Sequence, residues 1–147
     1  MNNHRSNKIL VVEDNKDIRN LLREFLENLD CDVIEAENIE DIVDIALSEV
    51  PDLILVDLGF AENRGLGLVY KIRQNPMLCY IPILANSTDG KLGMELFLNI
   101  EMLGTGSIDY ITKPFSFGEL SERIETLFNK KKKPFDFTNL KSPEVFY

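Results

Sequence analysis

Acidic, hydroxyl and basic side chains follow several short apolar runs of this sequence, at the points where those runs end. Glu13 and Asp14 come directly after one run, and Asp57 closes another. Ser87 follows a third run, and Lys113 follows a fourth just before a proline. If the runs are parallel strands of one open sheet, their carboxyl ends share an edge where ligands bind. The five side chains would then converge at that edge.

The chemistry of such a group is that of a metal-assisted phosphoryl acceptor. Carboxylates crowded together raise one another's pKa values, and a hard cation such as Mg²⁺, which prefers oxygen ligands, removes that cost. A carboxylate can also act as a nucleophile and form an acyl phosphate. The oxygens of the transferred group then need neutralising charge, which Mg²⁺, the Lys113 ammonium and the Ser87 hydroxyl could supply.

Five apolar runs have the composition of buried β-strands. Each consists mainly of Ile, Leu and Val and is closed by polar residues, as in a strand buried on both faces. The predicted strands are 8–13, 32–36, 53–56, 81–85 and 108–111.

Apolar residues at helical spacing predict a helix after the first strand and another after the second. Asn15 is a suitable cap for the first helix and Asn38 for the second, which Pro51 would end. The apolar side chains of the first helix are expected to form one core-facing side. They are Ile18, Leu21, Leu22, Phe25, Leu26 and Leu29.

Three further helices complete the alternation. A third is predicted at 65–73 and a fourth within 91–103. Ser116 and Glu119 have the spacing of a capping box that would open the fifth. Two side chains of the fourth helix are expected in the core, Met94 and Phe97.

The alternation of strands and helices indicates an α/β fold with a doubly wound, five-stranded parallel sheet. Parallel strands need crossover connections, and right-handed crossovers place helices on both faces of the sheet. The length of 147 residues suits a single domain of this kind. The predicted organisation is a disordered N-terminus at 1–7, one domain at 8–131, and a C-terminal extension or linker at 132–147.

Charge and composition exclude several classes of function. The formal net charge is −9, so the domain is not expected to grip nucleic acid, which needs clustered Lys and Arg. Cys31 and Cys79 are too far apart in sequence for a C-x-x-C motif, and the lone His4 excludes a histidine-rich zinc site. We find neither a signal sequence nor a run of membrane-spanning length, which predicts a cytoplasmic protein without membrane contact.

The polar strand ends lie within motifs that resemble those of bacterial two-component response regulator receiver domains. The four motifs occur in the order and near the spacing of that family, and they extend over roughly residues 8–128. They are I-L-V-V-E-D-N at 9–15, L-I-L-V-D at 53–57, I-P-I-L-A-N-S at 81–87, and D-Y-I-T-K-P-F at 109–115.

The resemblance implies a flavodoxin-like strand order of 2-1-3-4-5 and a phosphorylation site at Asp57. In this reading Glu13, Asp14, Asp57 and the backbone carbonyl of Gly59 bind Mg²⁺. A histidine kinase or a histidine phosphotransfer protein would donate the phosphoryl group. The domain would then be a signalling switch, with at most self-catalysed phosphorylation and dephosphorylation, and not an enzyme that turns over a substrate.

The resemblance also implies residues that respond to the phosphoryl group. Ser87 and Lys113 would contact it, and Ser87 and Tyr110 would act as the switch pair. Gly59 and Asp89 occupy positions that tune hydrolysis. The Lys113–Pro114 bond is expected to be cis, and a homodimer could form through the face made by the fourth helix, fifth strand and fifth helix.

Two segments depart from the family pattern. After Asp57, Ala61 stands where a proline is usual and Arg64 where an acid is usual, which predicts a more mobile loop. The stretch from Ser87 to Lys113 is also longer than usual, and the extra length falls in or near the fourth helix.

Several alternatives stay open at this point. Thr88 could face the site in place of Ser87, Lys113 could be a surface lysine, and Tyr110 could simply be a packed aromatic residue. A receiver that no longer accepts phosphate would act as a constitutive interaction domain. A Mg²⁺-dependent aspartyl phosphatase often has a second Asp two residues after its nucleophile, where this chain has Gly59. A flavin-binding module would need a phosphate loop after the first strand, where Glu13 and Asp14 lie.

Overall fold

A computed structural model describes residues 6–101 and 106–130 of the chain, without the side chains of 97, 100 and 101. The expectation for Phe97 lies outside this description. So do those for residues 1–5 and for the extension at 132–147, and the predicted domain boundaries stay predictions. Within the described part, no helix is long and apolar enough to cross a membrane.

Five parallel strands form one sheet in the order β2-β1-β3-β4-β5, as predicted. They are β1 (Lys8–Val12), β2 (Asp32–Ala36), β3 (Leu53–Asp57), β4 (Ile83–Ser87) and β5 (Ile108–Thr112). The fourth strand begins two residues later than predicted. Pro82 has no N–H to donate, and pairing with β5 begins at Ile83, whose N–H donates to the Ser107 carbonyl at 3.0 Å. The strand ends at Ser87.

Helices connect consecutive strands and close the fold. They are α1 (Lys16–Asn28), α2 (Ile39–Glu49), α3 (Phe60–Asn63), α4 (Gly65–Gln74), α5 (Gly90–Glu101) and α6 (Phe117–Lys130). The single turn α3 is an addition to the sequence prediction. Its residues Ala61, Glu62 and Asn63 have left-handed φ angles of 51°, 59° and 69°. This turn reaches the carboxyl edge of the sheet, where the acidic residues that follow β1 and β3 lie.

The predicted caps of α1 and α6 are present, whereas the Asn38 side chain caps no N–H of α2. Asn15 Oδ1 accepts the Ile18 N–H at 3.0 Å, and Ser116 Oγ accepts the Glu119 N–H at 3.0 Å. Asn38 occupies the N-cap position of α2, where its amide donates to Asp41 Oδ2 at 3.4 Å. The Asn15 and Ser116 bonds satisfy backbone N–H groups that the helices leave open, whereas the Asn38 bond joins two side chains.

The core lies in two layers, one on each face of the sheet. One layer joins the sheet to α2, α4 and α5 and contains, among others, Ile42, Val56, Ile72 and Leu96. The other joins the sheet to α1 and α6, with Leu26, Leu55 and Leu127 among its members. Buried on both faces, the central strands form a fixed frame whose carboxyl edge holds the polar strand ends.

Two expectations about buried side chains were wrong. Met94 is 45% exposed, although its Sδ accepts a hydrogen bond from the hydroxyl of Tyr110 in β5. The apolar side of α1 is only half covered. Leu22 and Leu26 are buried, whereas three other members are exposed: Ile18, Leu21 and Leu29. The apolar arc of α1 is therefore wider than the sheet can cover.

Candidate functional site

Three carboxylates meet at the carboxyl edge of the two central strands. β1 and β3 are neighbours, with Val12 opposite Val56, so the residues that follow them lie side by side. Ligand oxygens of Glu13, Asp14 and Asp57 all lie within 4.8 Å of one another. The structure thus brings these three side chains together, as predicted.

Glu13 is a buried acid, with only 3% of its surface exposed. Burial raises the pKa of its carboxyl group, and the nearby charge of Asp57 adds to this. The N–H of Asn15 and the ammonium of Lys113 oppose the rise. The Asn15 N–H donates to Glu13 Oε2 at 3.1 Å. A buried carboxylate among other acids is a group that a bound cation would stabilise.

Arg19 fixes the backbone at Glu13, a role that sequence reasoning missed. Its side chain is buried, and its Nη1 donates to the Glu13 carbonyl at 2.9 Å. Its charge is balanced by Glu37 at 3.0 Å and Glu35 at 3.7 Å. The sequence feature that could have identified it is its position one turn before Leu22, on the side of α1 that faces the sheet.

Asp57 has a defined environment for each carboxylate oxygen. Its Oδ1 accepts the Gly59 N–H at 3.0 Å, and its Oδ2 lies 3.5 Å from Lys113 Nζ. The side chain is 13% exposed, so the carboxylate is held firmly and is still open to solvent on one side. This combination suits a nucleophile that must meet an incoming group.

Lys113 is the cation of the site, since its Nζ also lies 3.7 Å from Glu13 Oε1. Its own N–H donates to the Ser87 carbonyl at 2.8 Å, which ties the end of β5 to the end of β4. The Lys113–Pro114 bond is cis, as predicted. Lys113 thus lies beside both acids, and its contact with a phosphoryl group stays a prediction.

Asp14 links the acidic edge to the left-handed turn. It is exposed, and its Oδ2 accepts the Ala61 N–H at 3.1 Å. The Asn63 N–H donates to the Gly59 carbonyl at 3.1 Å, so the turn closes beside Asp57. A carbonyl oxygen has two lone pairs, and the Gly59 carbonyl keeps one for a cation.

Gly59 leaves room next to the acid group. A Cβ added there would lie 3.5 Å from Asp57 Oδ1 and 3.8 Å from Asn63 Oδ1, both ordinary contact distances. The backbone of Gly65, by contrast, lies so close to the Asp57 carbonyl that a Cβ could not fit. Gly65 therefore permits α4 to begin directly beside the site.

Ser87 and Thr88 differ in burial. Ser87 ends β4, is half-buried, and its Oγ accepts the Asp89 N–H at 3.0 Å, whereas Thr88 is exposed. Asp89 Oδ1 accepts the N–H groups of Lys91 and Leu92 at 3.0 and 3.3 Å, which caps α5. The geometry favours Ser87 over Thr88 as the hydroxyl beside the acids.

Asn86 is a second residue that sequence reasoning missed. It is opposite Asp57 in the sheet register, it is buried, and its Nδ2 donates to the Val56 carbonyl at 3.2 Å. Among the described residues, its Oδ1 has no hydrogen-bond partner. A polar residue amid the apolar run of β4 was the available signal.

Tyr110 lies on β5 opposite Ala85 and is half-buried. Its hydroxyl donates to Met94 Sδ at 3.8 Å. Gly93 packs against its ring so closely that an added Cβ would lie 2.7 Å from Tyr110 Cδ2. Tyr110 thus contacts Gly93 and Met94 of α5, so a change in its position would reach that helix.

The donor set at this edge fits Mg²⁺. Carboxylate oxygens from three residues and a backbone carbonyl are the oxygen ligands that this ion prefers. The raised pKa of Glu13 shows that its charged form is disfavoured at this position, and a bound cation would stabilise that charged form. The predicted ligands Glu13, Asp14, Asp57 and Gly59 all lie at this edge, although their binding of a metal stays a prediction.

Known proteins resemble this chain in both sequence and structure. The transcriptional regulatory protein KdpE of the Escherichia coli KDP operon is 33% identical over 122 residues, which cover 83% of this chain and 51% of KdpE. The Bacillus subtilis regulator YxdJ is 34% identical over 120 residues, covering 82% of this chain and 49% of YxdJ. The chain therefore spans about half the length of these relatives.

A solved structure also resembles this chain. The receiver domain of the Francisella response regulator 1452 superposes with a TM-score of 0.73 at 26% identity, covering 86% of this chain and all of that one. The family model for the response regulator receiver domain matches residues 9–125. That range contains Glu13, Asp57, Ser87 and Lys113. The chain belongs to the response regulator receiver domain family.

Proposed function

We propose that this chain is a phosphoacceptor switch of a two-component system, in which Asp57 receives a phosphoryl group with Mg²⁺ bound beside it. The observation that supports this most directly is the meeting of three carboxylates within 4.8 Å, with Lys113 Nζ 3.5 Å from Asp57. The donor would be the phosphohistidine of a histidine kinase or of a histidine phosphotransfer protein.

The transfer is an in-line displacement at phosphorus. A carboxylate oxygen of Asp57 forms the new O–P bond, the P–N bond of the donor breaks, and its electron pair stays on the imidazole nitrogen. Bound Mg²⁺ would supply positive charge for the phosphoryl oxygens. Lys113 supplies a second charge from the end of β5, and its backbone bond to Ser87 helps to hold it beside Asp57.

Glu13, Asp14 and Gly59 would hold the ion. Glu13 brings a carboxylate from inside the protein, and Arg19 fixes its backbone from behind. Asp14 is exposed and accepts the Ala61 N–H, so the α3 turn positions its carboxylate. The Gly59 carbonyl is next to Asp57 and would complete the set of protein ligands.

The switch would act through Ser87 and Tyr110. In the structure the Ser87 hydroxyl accepts an N–H from Asp89, and its own hydrogen is free to turn toward a phosphoryl oxygen on Asp57. Tyr110 touches Gly93 and Met94, so a shift of its ring would reach α5. Phosphorylation would then bias the surface formed by α5, β5 and α6, which is also the proposed homodimer face.

Acetyl phosphate with Mg²⁺, followed by intact mass measurement, tests this proposal. We expect one phosphoryl adduct, lost in Asp57→Ala and retained in Asp44→Ala, which removes an exposed carboxylate of α2. The absence of an adduct would favour a constitutive interaction domain. Continuous release of phosphate from an unrelated monoester would favour the aspartyl phosphatase, against which Gly59 argues since it provides no second acid.

A further inference from the structure

The exposed side of α1 carries an apolar stripe. Ile18, Leu21 and Leu29 are 37%, 54% and 41% exposed, and Phe25 between them is half-buried. These positions recur at steps of three and four residues, so they form one line along a helix of 3.6 residues per turn. The side of α1 next to this line already packs on the sheet through Leu22 and Leu26, so the sheet does not cover the stripe.

The stripe continues onto α6. The rings of Phe25 and Phe117 stack with centroids 4.5 Å apart and an interplanar angle of 12°, yet Phe117 is still 45% exposed. Leu29 and Phe128 line a groove of about 250 Å³ between the two helices. We call this continuous patch the α1–α6 surface; it consists of Ile18, Leu21, Phe25, Leu29, Phe117 and Phe128.

A patch of this kind is expected to bind another segment or molecule, since large contiguous apolar patches on soluble proteins usually mark binding sites. The stretch with matching chemistry is 134–147, whose sequence is P-F-D-F-T-N-L-K-S-P-E-V-F-Y. It contains four aromatic and two aliphatic side chains. Nothing in the proposed phosphoacceptor chemistry uses them.

Position and reach allow this stretch to arrive at the surface. It follows α6 after only three lysines, and Phe128 of the surface lies in the last turn of that helix. Pro134 has no N–H for a helical hydrogen bond and disfavours a helical residue before it, so the sequence predicts no continuation of α6 beyond this point. Fourteen extended residues reach about 45 Å, whereas the 13 residues of α1 extend only about 20 Å.

Charge favours the same pairing. Residues 131–147 contain four lysines and two acids, a net charge of +2, so residues 1–130 carry −11 of the total of −9. Glu125 lines the groove beside Leu29 and Phe128, and α1 and α6 carry further exposed acids, Glu24, Glu27 and Glu122. The lysines at 131–133 would thus approach an acidic rim while the aromatic residues reach the apolar centre.

We propose that residues 134–147 bind the α1–α6 surface of their own chain, with their aromatic side chains on the α1 stripe and on the groove beside Leu29. This contact would shield the exposed side of α1 from solvent and from other proteins. It does not depend on the phosphoacceptor reading, since none of the residues involved belongs to the acidic edge.

A single tryptophan reports on this contact, because the chain has none of its own. Phe137→Trp is placed in the full chain, alone and together with Leu21→Asp. The matched control is Leu98→Asp on α5, which is 53% exposed against 54% for Leu21 and lies on the other face of the sheet. We expect a blue-shifted emission that Leu21→Asp returns to the solvent-exposed wavelength and that Leu98→Asp leaves unchanged.

Hydrogen exchange provides a second readout that does not alter the helices. In the full chain with Phe135→Ser and Phe137→Ser, we expect faster exchange of the α1 amides and unchanged exchange in α4. Solvent-exposed emission of the tryptophan in the parent chain, or an equal response to Leu21→Asp and Leu98→Asp, would overturn the proposal. A blue shift that disappears on dilution would also overturn it, since the occupant would then be a second copy of the chain.

Discussion

The two halves of the site are built differently. The acidic half, on β1 and β3 with Lys113, is held by direct contacts: the buried Glu13 carboxylate, the Gly59 N–H on Asp57 and the lysine between the two acids. The responsive half, on β4 and β5, is named for its proposed switch role and has Ser87 and Tyr110 in half-buried positions. The Ser87 hydroxyl accepts the Asp89 N–H, and the Tyr110 hydroxyl donates to Met94 Sδ at 3.8 Å.

The groups proposed to carry out phosphoryl transfer and the groups proposed to respond to it therefore lie in different halves of the site. Groups that must stabilise charge work best when they are already in place, since no energy is then spent on rearranging them. Groups that transmit a state need at least two positions of similar energy. The acidic half meets the first requirement, and the proposed switch role of the responsive half would need the second, so changes in the two halves should have different effects.

The largest effect is expected from removing the cation of the acidic half. Lys113→Ala takes away the charge beside Asp57 Oδ2 and should slow formation of the adduct with acetyl phosphate by about a hundredfold, the usual loss for one preorganised charge-stabilising group. Rates of adduct formation measured by mass spectrometry check this. Lys91→Ala, an exposed lysine on α5, is the control. Equal rates in the two variants would mean that Lys113 takes no part in the transfer.

A second effect in the acidic half concerns the buried carboxyl of Glu13. Its pKa in the folded protein is raised, chiefly by burial, so the folded state holds this proton more tightly than the unfolded state does. Stability from this group is fully present below the ordinary pKa of 4.5 and is lost as the pH rises through the raised value.

Glu13→Gln should therefore raise the melting temperature of the metal-free protein at pH 7 by a few degrees, and the gain should shrink toward pH 4. The same variant should bind Mg²⁺ more weakly. Thermal melts across this pH range, with and without Mg²⁺, are the measurement. A variant that is less stable than the parent at pH 7 would show that Lys113 outweighs the burial of the carboxylate.

The acidic half was predictable from sequence, and the reason is physical. A run such as L-I-L-V that ends in Asp57 has the length and composition of a buried strand, and parallel strands bring their carboxyl ends together. The contacts of Lys113 and the place of Ser87 at the end of β4 follow from the same topology.

The loop next to it was not predictable. Ala61 and Glu62 adopt left-handed φ angles that L-residues rarely choose, so local preference gives no warning of the α3 turn. The exposure of Leu21 was missed for a different reason: helical spacing shows which residues share a side, but not how much of that side the sheet covers. Both depend on tertiary packing.

The responsive half should react to a change in packing without losing its chemistry. Gly93→Ala would place a methyl group 2.7 Å from Tyr110 Cδ2, so either the ring or α5 must move. We expect a loss of roughly 1–3 kcal/mol in stability, typical of overpacking, and a rate of adduct formation within about twofold of the parent. Denaturant unfolding and mass spectrometry measure the two. A loss of the adduct in a folded Gly93→Ala protein would show that the halves are not separable.

The smallest effect on the fold is expected at Gly59, which lies beside the Asp57 carboxylate. Gly59→Asn puts an amide beside Asp57 Oδ1, in space where a Cβ makes only ordinary contacts, so stability should change by no more than about 0.5 kcal/mol. The amide would hold or block a water that attacks the phosphoryl group, so the lifetime of the adduct should change although its formation does not. Decay of the adduct after removal of acetyl phosphate measures this, with Gly67→Asn, on the exposed side of α4 where an added Cβ has open space, as the control. Identical lifetimes in the parent and in Gly59→Asn would mean that attack comes from a direction that this position does not guard.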